Sequence, residues 1–298
     1  MPCLTGFPSA SLRPIMEIET TSRSNPILMS KEAELGTWLQ AQRRLAVGFS
    51  GGVDSAYLAV AARMSLGSDR VLAIIGRSAS YPAAQWAAAR DVARSFDVGV
   101  LELDTEELDD PRYAANPSNR CYFCKTELWS KLVPVARTHG FEVVADGTNA
   151  DDLSDWRPGA QAAREHGVAS PLADLGFTKQ DIRDASRRLG IPTWQQPSSP
   201  CLSSRLPYGI AVTRARLGQI ERAEAAVRAL GVTGDLRVRY HEDLARVELG
   251  TEELPYWMEP SHFETLREAL LSTGFARVAL DLKGFRSGSL NVLHGVGS

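Results

Sequence analysis

The stretch Phe49-Ser50-Gly51-Gly52-Val53-Asp54-Ser55 decides the fold of this chain. It ends an apolar run at 45–49, which has the length of a buried parallel strand. The segment that follows, 56–64, is rich in helix formers and predicts a helix. A strand, a Ser/Gly turn and a helix together form an anion site. The glycines let backbone N–H groups approach a phosphate, and the helix N-terminus adds partial positive charge.

The side chains of this turn also suit a nucleotide. Ser50 and Ser55 can donate to phosphate oxygens, and Asp54 can hold a magnesium ion against them. The G-K-[ST] ending of a Walker A loop is absent. The stretch resembles the SGGxDS signature of the PP-loop ATP pyrophosphatases, which cleave ATP between the α and β phosphates and adenylylate a substrate. That resemblance implies ATP contacts for Ser50, Gly51, Gly52, Asp54 and Ser55.

Size and composition limit the class of protein. The 298 residues are 44% hydrophobic and 23% charged, which is typical of a globular protein with one large or two ordinary domains. The net charge of −3 argues against a general nucleic-acid binder. No apolar run is long enough to span a membrane, and four cysteines are too few for a disulfide scaffold. We therefore expect a cytoplasmic protein whose partner is a small molecule.

Alternating strands and helices predict an α/β fold. Strands are predicted at 45–49, 71–75, 98–103 and 142–146, with helices at 31–42, 56–64, 82–96, 124–138 and 178–189. This alternation implies a doubly wound parallel sheet of Rossmann-like type, covered by helices on both faces. Ligands in such folds bind at the carboxyl ends of the strands, and the 50–55 turn lies at one such end.

The pattern changes after Gly209. A long helix is predicted at 213–230, a hairpin at 236–240 and 244–249, a helix at 261–271 and a strand at 277–282. We therefore predict a flexible tail at 1–29, a PP-loop domain at 30–206 and a smaller C-terminal α+β domain at 207–298. The smaller domain is expected to bind the substrate and to mediate oligomerisation.

Three cysteines form the second candidate site. Cys121 and Cys124 make a CxxC, and Cys201 lies in a distant Ser/Pro-rich loop. Zinc would need a fourth ligand, and none of the five histidines is near a cysteine in sequence. A 4Fe–4S cluster can accept three thiolates and leave one iron open. A structural cysteine pair or a disulfide is the alternative for the CxxC alone.

Polar residues follow the fourth predicted strand at 146–152. Gly147 and Asn149 in this segment are candidates for ATP contacts, because they occupy a strand-end loop. An ordinary cluster of helix N-cap residues is the alternative.

Four arginines of the C-terminal part are candidates for binding the phosphate of a substrate: Arg205, Arg237, Arg239 and Arg286. Arg237 and Arg239 are two residues apart in a predicted strand, so they lie on the same face and could form a phosphate or carboxylate clamp. A solvated strand face is the alternative for such a pair.

From about residue 31 to residue 290, the chain is similar to the ATP-dependent sulfur transferases that make the nickel-pincer nucleotide cofactor of lactate racemase, the LarE type. Five pieces carry the resemblance: the 50–55 turn, Asp155-Trp156-Arg157-Pro158-Gly159, Cys201 with Ser203-Ser204-Arg205-Leu206-Pro207-Tyr208-Gly209, Arg237-Val238-Arg239-Tyr240-His241, and Gly284-Phe285-Arg286-Ser287-Gly288.

The resemblance implies adenylylation of pyridinium-3,5-biscarboxylic acid mononucleotide, followed by replacement of AMP with sulfur. Some members have only the cysteine matching Cys201 and sacrifice its sulfur. Others also have the CxxC and are thought to hold a 4Fe–4S cluster on three cysteines, and this sequence matches the second type. The family also implies a homohexamer, with Glu224 matching a glutamate near the subunit junction that is a candidate metal ligand.

Two other functions remain open from the sequence. A PP-loop tRNA thiolase can carry the same three cysteines, although it needs a positive surface that the net charge does not favour. A nucleotide-binding sensor that has lost catalysis is a different class. Retention of both serines, both glycines and Asp54 argues against it.

Overall fold

A computed structural model describes residues 25–153, 158–197 and 200–286 of the chain. The first two thirds of the chain form an α/β unit with the elements α1 Pro26–Gln40, β1 Leu45–Gly48, α2 Val53–Leu66, β2 Val71–Arg77, α3 Ala83–Ser95, β3 Gly99–Asp104, α4 Pro111–Ala114, α5 Arg120–Thr138, β4 Val143–Ala145, α6 Pro158–Glu165, α7 Pro171–Asp174 and α8 Lys179–Arg188. The remainder forms α9 Arg214–Ala229, β5 Leu236–His241, β6 Leu244–Leu249, α10 Leu254–Met258, α11 Pro260–Leu271 and β7 Arg277–Leu280.

The larger sheet has four strands in the order β3-β2-β1-β4, and every neighbouring pair is parallel. The chain moves outward from β1 through β2 to β3 and then returns to the other side of β1 with β4. The switch point of the sheet therefore lies between β1 and β4, at their carboxyl ends. The 50–55 turn follows β1 directly, so the predicted fold class and the place of the turn are both confirmed.

Strand β1 is buried because helices cover both faces of the sheet. Leu45 and Val47 belong to a core formed with α1, α2 and α8. Ala46 faces the opposite core, which α5 provides with Trp129 and Leu132. This alternation explains why the strand reads as a continuous apolar run rather than as an alternating one. At Gly48 a Cβ would lie 2.5 Å from the Trp129 ring, so this position has no room for a side chain.

The first helix is longer at its start than the sequence predicted. It begins at Pro26 rather than at residue 31, because the Asn25 side chain accepts hydrogen bonds from the N–H groups of Ile27 and Leu28. Asn at the N-cap followed by Pro at the first helical position is a strong start signal. Residues 26–29 of the predicted tail are therefore helical, and residues 1–24 lie outside the described part of the chain.

The C-terminal sheet has three strands in the order β5-β6-β7. β5 and β6 form the predicted antiparallel hairpin, while β7 pairs with β6 in parallel. Val238 and Val247 face α9 and α11 in a separate apolar core. This core also takes in Tyr113 and Leu202, which precede the predicted boundary at 206/207. The two parts of the chain thus share side chains, and the boundary itself stays a prediction.

A hydrogen bond connects α9, which belongs to the second core, to α3, which packs on the larger sheet. Helix α3 has no side-chain cap of its own, because Pro82 occupies its N-cap. The carboxylate of Glu221 in α9 instead accepts from the Ala83 N–H at 2.7 Å. A carboxylate at this position satisfies an unpaired donor and complements the positive end of the helix.

No helix in the described part of the chain is both long enough and apolar enough to cross a membrane.

Candidate active site

The 50–55 turn is held by its own serines. The Ser55 hydroxyl lies 3.1 Å from the Gly52 carbonyl oxygen and 3.2 Å from the Ser50 N–H and hydroxyl. Gly51 has a φ of 70°, and a Cβ there would lie 2.5 Å from the Ala89 side chain. Only glycine meets both conditions at once. The backbone N–H groups of the turn therefore stand at the N-terminus of α2 in a phosphate-binding arrangement.

Two side chains of the second crossover hold the turn from behind. The Tyr81 hydroxyl donates to the Ser50 carbonyl at 2.8 Å, and the Gln85 amide donates to the same oxygen at 3.1 Å. Burial raises the pKa of Tyr81, which keeps the hydroxyl protonated as a donor. Neither residue is predicted from the sequence, because nothing in its local pattern points to a loop more than 30 positions away.

Asp54 is the meeting point of three segments. Its carboxylate accepts from the Asn149 amide at 3.4 Å and forms an ion pair with Lys179 at 2.5 Å. Asn149 follows β4, as the strand-end prediction expected, and Lys179 is the first residue of α8. Lys179 is not among the site residues predicted from the sequence. One available signal was its position, because a lysine in the first turn of a helix opposes the helix dipole.

Gly147 lets the β4 loop reach the turn. A Cβ on Gly147 would lie 2.6 Å from the Ser55 nitrogen and 2.9 Å from the Asp54 carbonyl carbon, both of which are backbone atoms. The preceding residue, Asp146, fixes this loop by accepting from Thr148 and from the Ser170 hydroxyl. The predicted ATP contacts Gly147 and Asn149 thus lie against Asp54 and Ser55 at the switch point.

The three cysteines come from two segments that the fold brings together. Cys121 is exposed in the first turn of α5, while Cys124 and Cys201 are half-buried. Burial raises the pKa of the Cys124 thiol well above its usual value, and the charges of Glu107 and Cys201 raise it further. Cys124 and Cys201 are therefore close enough for their charges to interact.

A buried cation lies beside these thiols. Arg120, 5% exposed, donates to the Asn116 side chain and to the Ser203 carbonyl. Burial lowers the pKa of Arg120, but the negative charges that Cys201, Cys121, Tyr113 and Tyr208 carry when ionised raise it by more, so the pKa is raised overall. A guanidinium in this position favours negative charge on sulfur.

Buried hydroxyl groups connect Glu107 to the cysteine loop. Glu107 is 2% exposed and accepts from Ser80 at 3.0 Å and from Thr105 at 2.8 Å. Tyr113, from α4, places its hydroxyl 2.7 Å from the Ser203 hydroxyl in the same loop as Cys201. The Ser80 carbonyl in turn accepts from the Leu202 N–H at 2.8 Å, next to Cys201. None of these partners is predicted from the sequence, because they come from segments that are far apart in the chain.

Among the described residues, no three His, Cys, Asp or Glu side chains stand in an arrangement that could hold a metal ion. The chemical type of the three cysteine ligands is a separate question from their positions. Three cysteine thiols without a histidine are the soft type of ligand that iron–sulfur clusters take, and Arg120 would offset the charge of their thiolates. The type of ligand that Cys121, Cys124 and Cys201 provide suits a 4Fe–4S cluster, although their side chains are not arranged as a metal site in this structure.

Arg205 is bound within the protein rather than open to a ligand. It is 2% exposed and pairs in bidentate fashion with Glu224 at 2.9 and 3.0 Å. Glu224 also accepts from the Val238 N–H at 3.0 Å. The pair therefore fixes the loop after Cys201 against α9 and β5, and Glu224 has these partners at the position where the family resemblance suggested a metal ligand.

The two arginines of β5 differ from each other. Arg239 forms a buried ion pair with Glu248 at 2.8 Å and donates to the Ser204 carbonyl at 2.9 Å. Arg237 lies over the Phe285 ring, with its guanidinium carbon 4.8 Å from the ring centroid. Burial and the charge of Arg205 lower the pKa of Arg237 to about 10. The solvated strand face weighed as the alternative does not describe either residue, since each is 5% exposed.

Arg286 is different again, because its side chain is half exposed. Its guanidinium lies 3.9 Å from Asp281, which pairs more closely with Arg246 at 3.1 Å.

The motif residues Asp155, Trp156, Arg157, Ser287 and Gly288 lie outside the described part of the chain.

A parallel sheet with a Ser/Gly phosphate turn at its switch point and an aspartate inside that turn defines a PP-loop nucleotide-binding domain. A family model described as NAD synthase matches residues 38–117, which include β1, the turn and β2.

The chain matches three curated proteins over most of its own length and over most of theirs. A protein of Synechocystis sp. described as uncharacterized is 41% identical over 265 residues, covering 89% of this chain and 98% of the relative. The pyridinium-3,5-bisthiocarboxylic acid mononucleotide synthase of Lactiplantibacillus plantarum is 34% identical over 264 residues, covering 89% of this chain and 95% of the relative. An uncharacterized protein of Methanocaldococcus jannaschii is 27% identical over 247 residues, covering 82% and 92%. The chain therefore belongs to the LarE family within the PP-loop superfamily.

Proposed function

We propose that this protein is an ATP-dependent sulfurtransferase that acts on pyridinium-3,5-biscarboxylic acid mononucleotide. In this proposal ATP adenylylates a substrate carboxylate with release of pyrophosphate, and sulfur then replaces AMP to give the thiocarboxylate. The observation that carries it is the phosphate turn with Asp54, Asn149 and Lys179 converging at the switch point. Similarity to a synthase named for the bisthiocarboxylic acid product supports the choice of substrate.

The first step follows from the poor reactivity of a carboxylate, whose leaving group would be oxide. Attack of the carboxylate oxygen on the α-phosphorus of ATP forms a P–O bond, while the bond to the bridging oxygen of pyrophosphate breaks. The backbone N–H groups of Gly51 and Gly52 would stabilise the charge that develops on the phosphates. Asp54 would hold the magnesium ion that accompanies ATP. AMP is then a good leaving group when sulfur attacks.

We assign the sulfur step to the three cysteines. The position of Arg120 beside Cys201 and Cys121 supports a role for thiolate chemistry there. Cys121, Cys124 and Cys201 would be the ligands of a 4Fe–4S cluster, and such a cluster, when bound, supplies an open iron that can carry a hydrosulfide. Arg120 would offset the negative charge of the thiolates, and Glu107, Ser80 and Tyr113 would keep the Cys201 loop in place.

The substrate phosphate is assigned to the arginine-rich face of the C-terminal sheet. Arg237 and Arg286 are proposed as direct contacts, and Arg205 and Arg239 as cations that Glu224 and Glu248 hold in position. An anchored phosphate would hold the reacting carboxylate at a fixed distance from ATP, which supplies proximity. Arg237→Ala should weaken binding of the nucleotide substrate while ATP affinity stays unchanged. An equal loss of ATP affinity would contradict the assignment.

The test of the function is pyrophosphate release and thiocarboxylate formation with purified protein, made anaerobically and analysed for iron and sulfide. Multiple turnovers with added sulfide are expected for the wild type, and Cys121→Ala should lose both the iron and the turnovers. If the variant still transfers one sulfur and its mass falls by about 34 Da at position 201, then the cysteine is sacrificed and the cluster proposal is wrong. If no pyrophosphate is released with the carboxylate substrate, the proposed function itself fails.

The hexamer stays part of the proposal. The pair Arg205–Glu224 joins α9 to the Cys201 loop, so an interface formed by α9 would place a subunit contact next to the sulfur site. Light scattering coupled to gel filtration measures the state directly, and a monomer would rule the hexamer out.

A further inference from the structure

An open cavity of about 550 Å³ lies beside the N-terminal half of α9 and shares no lining residue with the phosphate turn or with the cysteines. Its walls are formed by one side of α9, by strand β5 and by the loop after α11. The residues that matter for its chemistry are Thr213, Arg216, Gln219, Arg222 and Tyr240. Cavities that hold small molecules have volumes of about 300–1,000 Å³, so this one has room for a whole ligand.

The charge of the cavity is positive and lacks a counter-ion. Arg216 and Arg222 both line it, and no acidic side chain of the described residues does. Arg222 is exposed and forms no ion pair with any residue that the structure describes. Arg216 donates only to a neutral group, the Ala211 carbonyl at 2.6 Å. Two guanidinium groups in one cavity are therefore available to an anion.

The start of α9 adds to this preference for an anion. The Thr213 side chain accepts from the Arg216 N–H at 3.3 Å and caps that donor alone. The first turn contains no acidic residue, whereas Arg214 and Arg216 stand there and oppose the helix dipole. A bound anion would offset both the arginine charges and the unpaired N–H groups of this turn.

The tyrosine in the cavity wall points to more than a simple ion. Tyr240 is 9% exposed, and its hydroxyl makes no hydrogen bond to a residue that the structure describes. A buried tyrosine hydroxyl usually has a partner, so this one is available to a ligand. The Arg216 guanidinium carbon lies 5.6 Å from the centroid of the same ring. Because strand side chains alternate, Tyr240 lies on the opposite face of the sheet from Arg237 and Arg239.

We infer that this cavity binds a phosphorylated small molecule of about the size of a sugar phosphate or mononucleotide. Arg216, Gln219 and Arg222 follow one another at three-residue spacing and extend over about 9 Å along the helix axis. That length exceeds a single phosphate. The arginines suit the phosphate group, and the Gln219 amide and the Tyr240 hydroxyl suit the hydroxyl groups of a sugar. This inference does not depend on the proposed function.

Ribose 5-phosphate is the probe, with ribose and inorganic phosphate as its two parts. Each is titrated calorimetrically into the wild type, Arg222→Gln, Tyr240→Phe and two controls. Arg214→Gln removes an arginine of the same helix that does not line the cavity, and Arg237→Ala removes an arginine of the opposite face.

The wild type should bind ribose 5-phosphate more tightly than either of its parts. Arg222→Gln should weaken that binding at least tenfold, because it removes a charged hydrogen bond, and Tyr240→Phe by about fivefold. The two controls should change the affinity less than twofold. The thermal midpoint of Arg222→Gln should stay at the wild-type value, since the side chain is exposed and unpaired.

Several results would overturn the inference. Ribose 5-phosphate that does not bind the wild type, or that binds Arg222→Gln equally well, would leave the cavity without this ligand. A loss of binding in Arg237→Ala alone would place the ligand on the arginine-rich face. Inorganic phosphate that binds as tightly as ribose 5-phosphate would reduce the cavity to an ion site. A changed oligomeric state of Arg222→Gln in gel filtration would make the cavity a subunit contact. None of these measurements uses ATP or the carboxylate substrate, so failure of the proposed function would appear separately.

Discussion

The phosphate turn and the arginine-rich face of the C-terminal sheet both concern phosphate, but they are built differently. The turn takes its geometry from consecutive residues and presents mainly backbone N–H groups. The arginine-rich face, comprising Arg205, Arg237, Arg239 and Arg286, contains long cations, and two of them have close acidic partners from elsewhere in the chain. Arg205 pairs with Glu224 and Arg239 with Glu248.

The two regions differ in whether their positive groups remain available to a ligand or are already paired inside the protein. A backbone turn carries partial charges that need no counter-ion, so its donors stay available to a ligand. A buried guanidinium needs a carboxylate and further acceptors before it can be removed from water. We therefore expect variants of the turn to lose activity and keep the fold, and variants of the ion-paired arginines Arg205 and Arg239 to lose the fold first.

The largest effect is expected for Arg239→Ala. Glu248 is fully buried and would lose its strongest partner, although Arg246 still contacts its other oxygen at 3.0 Å. Breaking a buried ion pair from one side costs about 3–5 kcal/mol of unfolding free energy. Urea unfolding measures it, with the exposed pair Arg267–Glu264 as the control through Arg267→Ala. A loss below about 1 kcal/mol for Arg239→Ala would mean that the two regions do not differ in this way.

Asp54→Asn is expected to show the opposite behaviour. The variant keeps the shape of the side chain but loses the charge that pairs with Lys179 and that would hold magnesium. Pyrophosphate release should fall by about a hundred- to a thousandfold, and the unfolding free energy should change little. Asp69→Asn, an exposed residue before β2, is the matched control. Near-normal pyrophosphate release by Asp54→Asn would remove the turn from the active site.

Gly147→Ala tests the close approach between the β4 loop and the turn. The added methyl group would lie 2.6 Å from the Ser55 nitrogen, so either the loop or the turn must move. A displacement of about 1 Å in an active site can cost a hundredfold in rate, which is the loss we expect in pyrophosphate release. Gly167→Ala is a poor control because its φ is 68°, whereas Gly36→Ala in α1 has nothing within 4 Å of the new methyl group. Equal activity of the two variants would contradict the role given to Gly147.

The sequence predicted the first region better than the second, for a physical reason. Residues 50–55 are contiguous, and the strand and helix around them follow from local periodicity. All seven predicted strands are present, and the main helix boundaries differ by a few residues. The partners of the turn, Tyr81, Gln85 and Lys179, were missed because folding and not sequence brings them to Ser50 and Asp54.

The clamp predicted for Arg237 and Arg239 shows the limit of strand alternation. Alternation placed both residues on one face, and Val238 between them does enter the core. It could not show that Glu248 lies on the neighbouring strand opposite Arg237 and forms an ion pair with Arg239.

The short helices Pro158–Glu165 and Pro171–Asp174 were also missed, because four to eight residues carry too little periodicity.

The smallest effect concerns the cysteines, which lie between the two regions. In iron-free protein, Cys121 should react with iodoacetamide at least tenfold faster than Cys124 at pH 8, because Cys121 is exposed and the pKa of Cys124 is raised by burial. The rate at Cys124 should still increase above pH 9, as its thiol ionises. Peptide mass spectrometry after timed quenching reports both rates. Equal rates at pH 8 would mean that Cys124 is not shielded.

The carboxylate of Glu221 connects the arginine-rich face to the phosphate turn through a hydrogen bond between α9 and α3. It belongs to the helix whose Glu224 holds Arg205, and it caps α3 at Ala83, two residues before Gln85, which holds the phosphate turn. A shift of α9 when a substrate settles on the arginine-rich face would therefore pull on the first turn of α3 and on the carbonyl of Ser50. Binding at the arginine-rich face would in this way change the geometry of the phosphate turn through α9 and α3, in addition to any effect transmitted by the Ser80–Leu202 hydrogen bond.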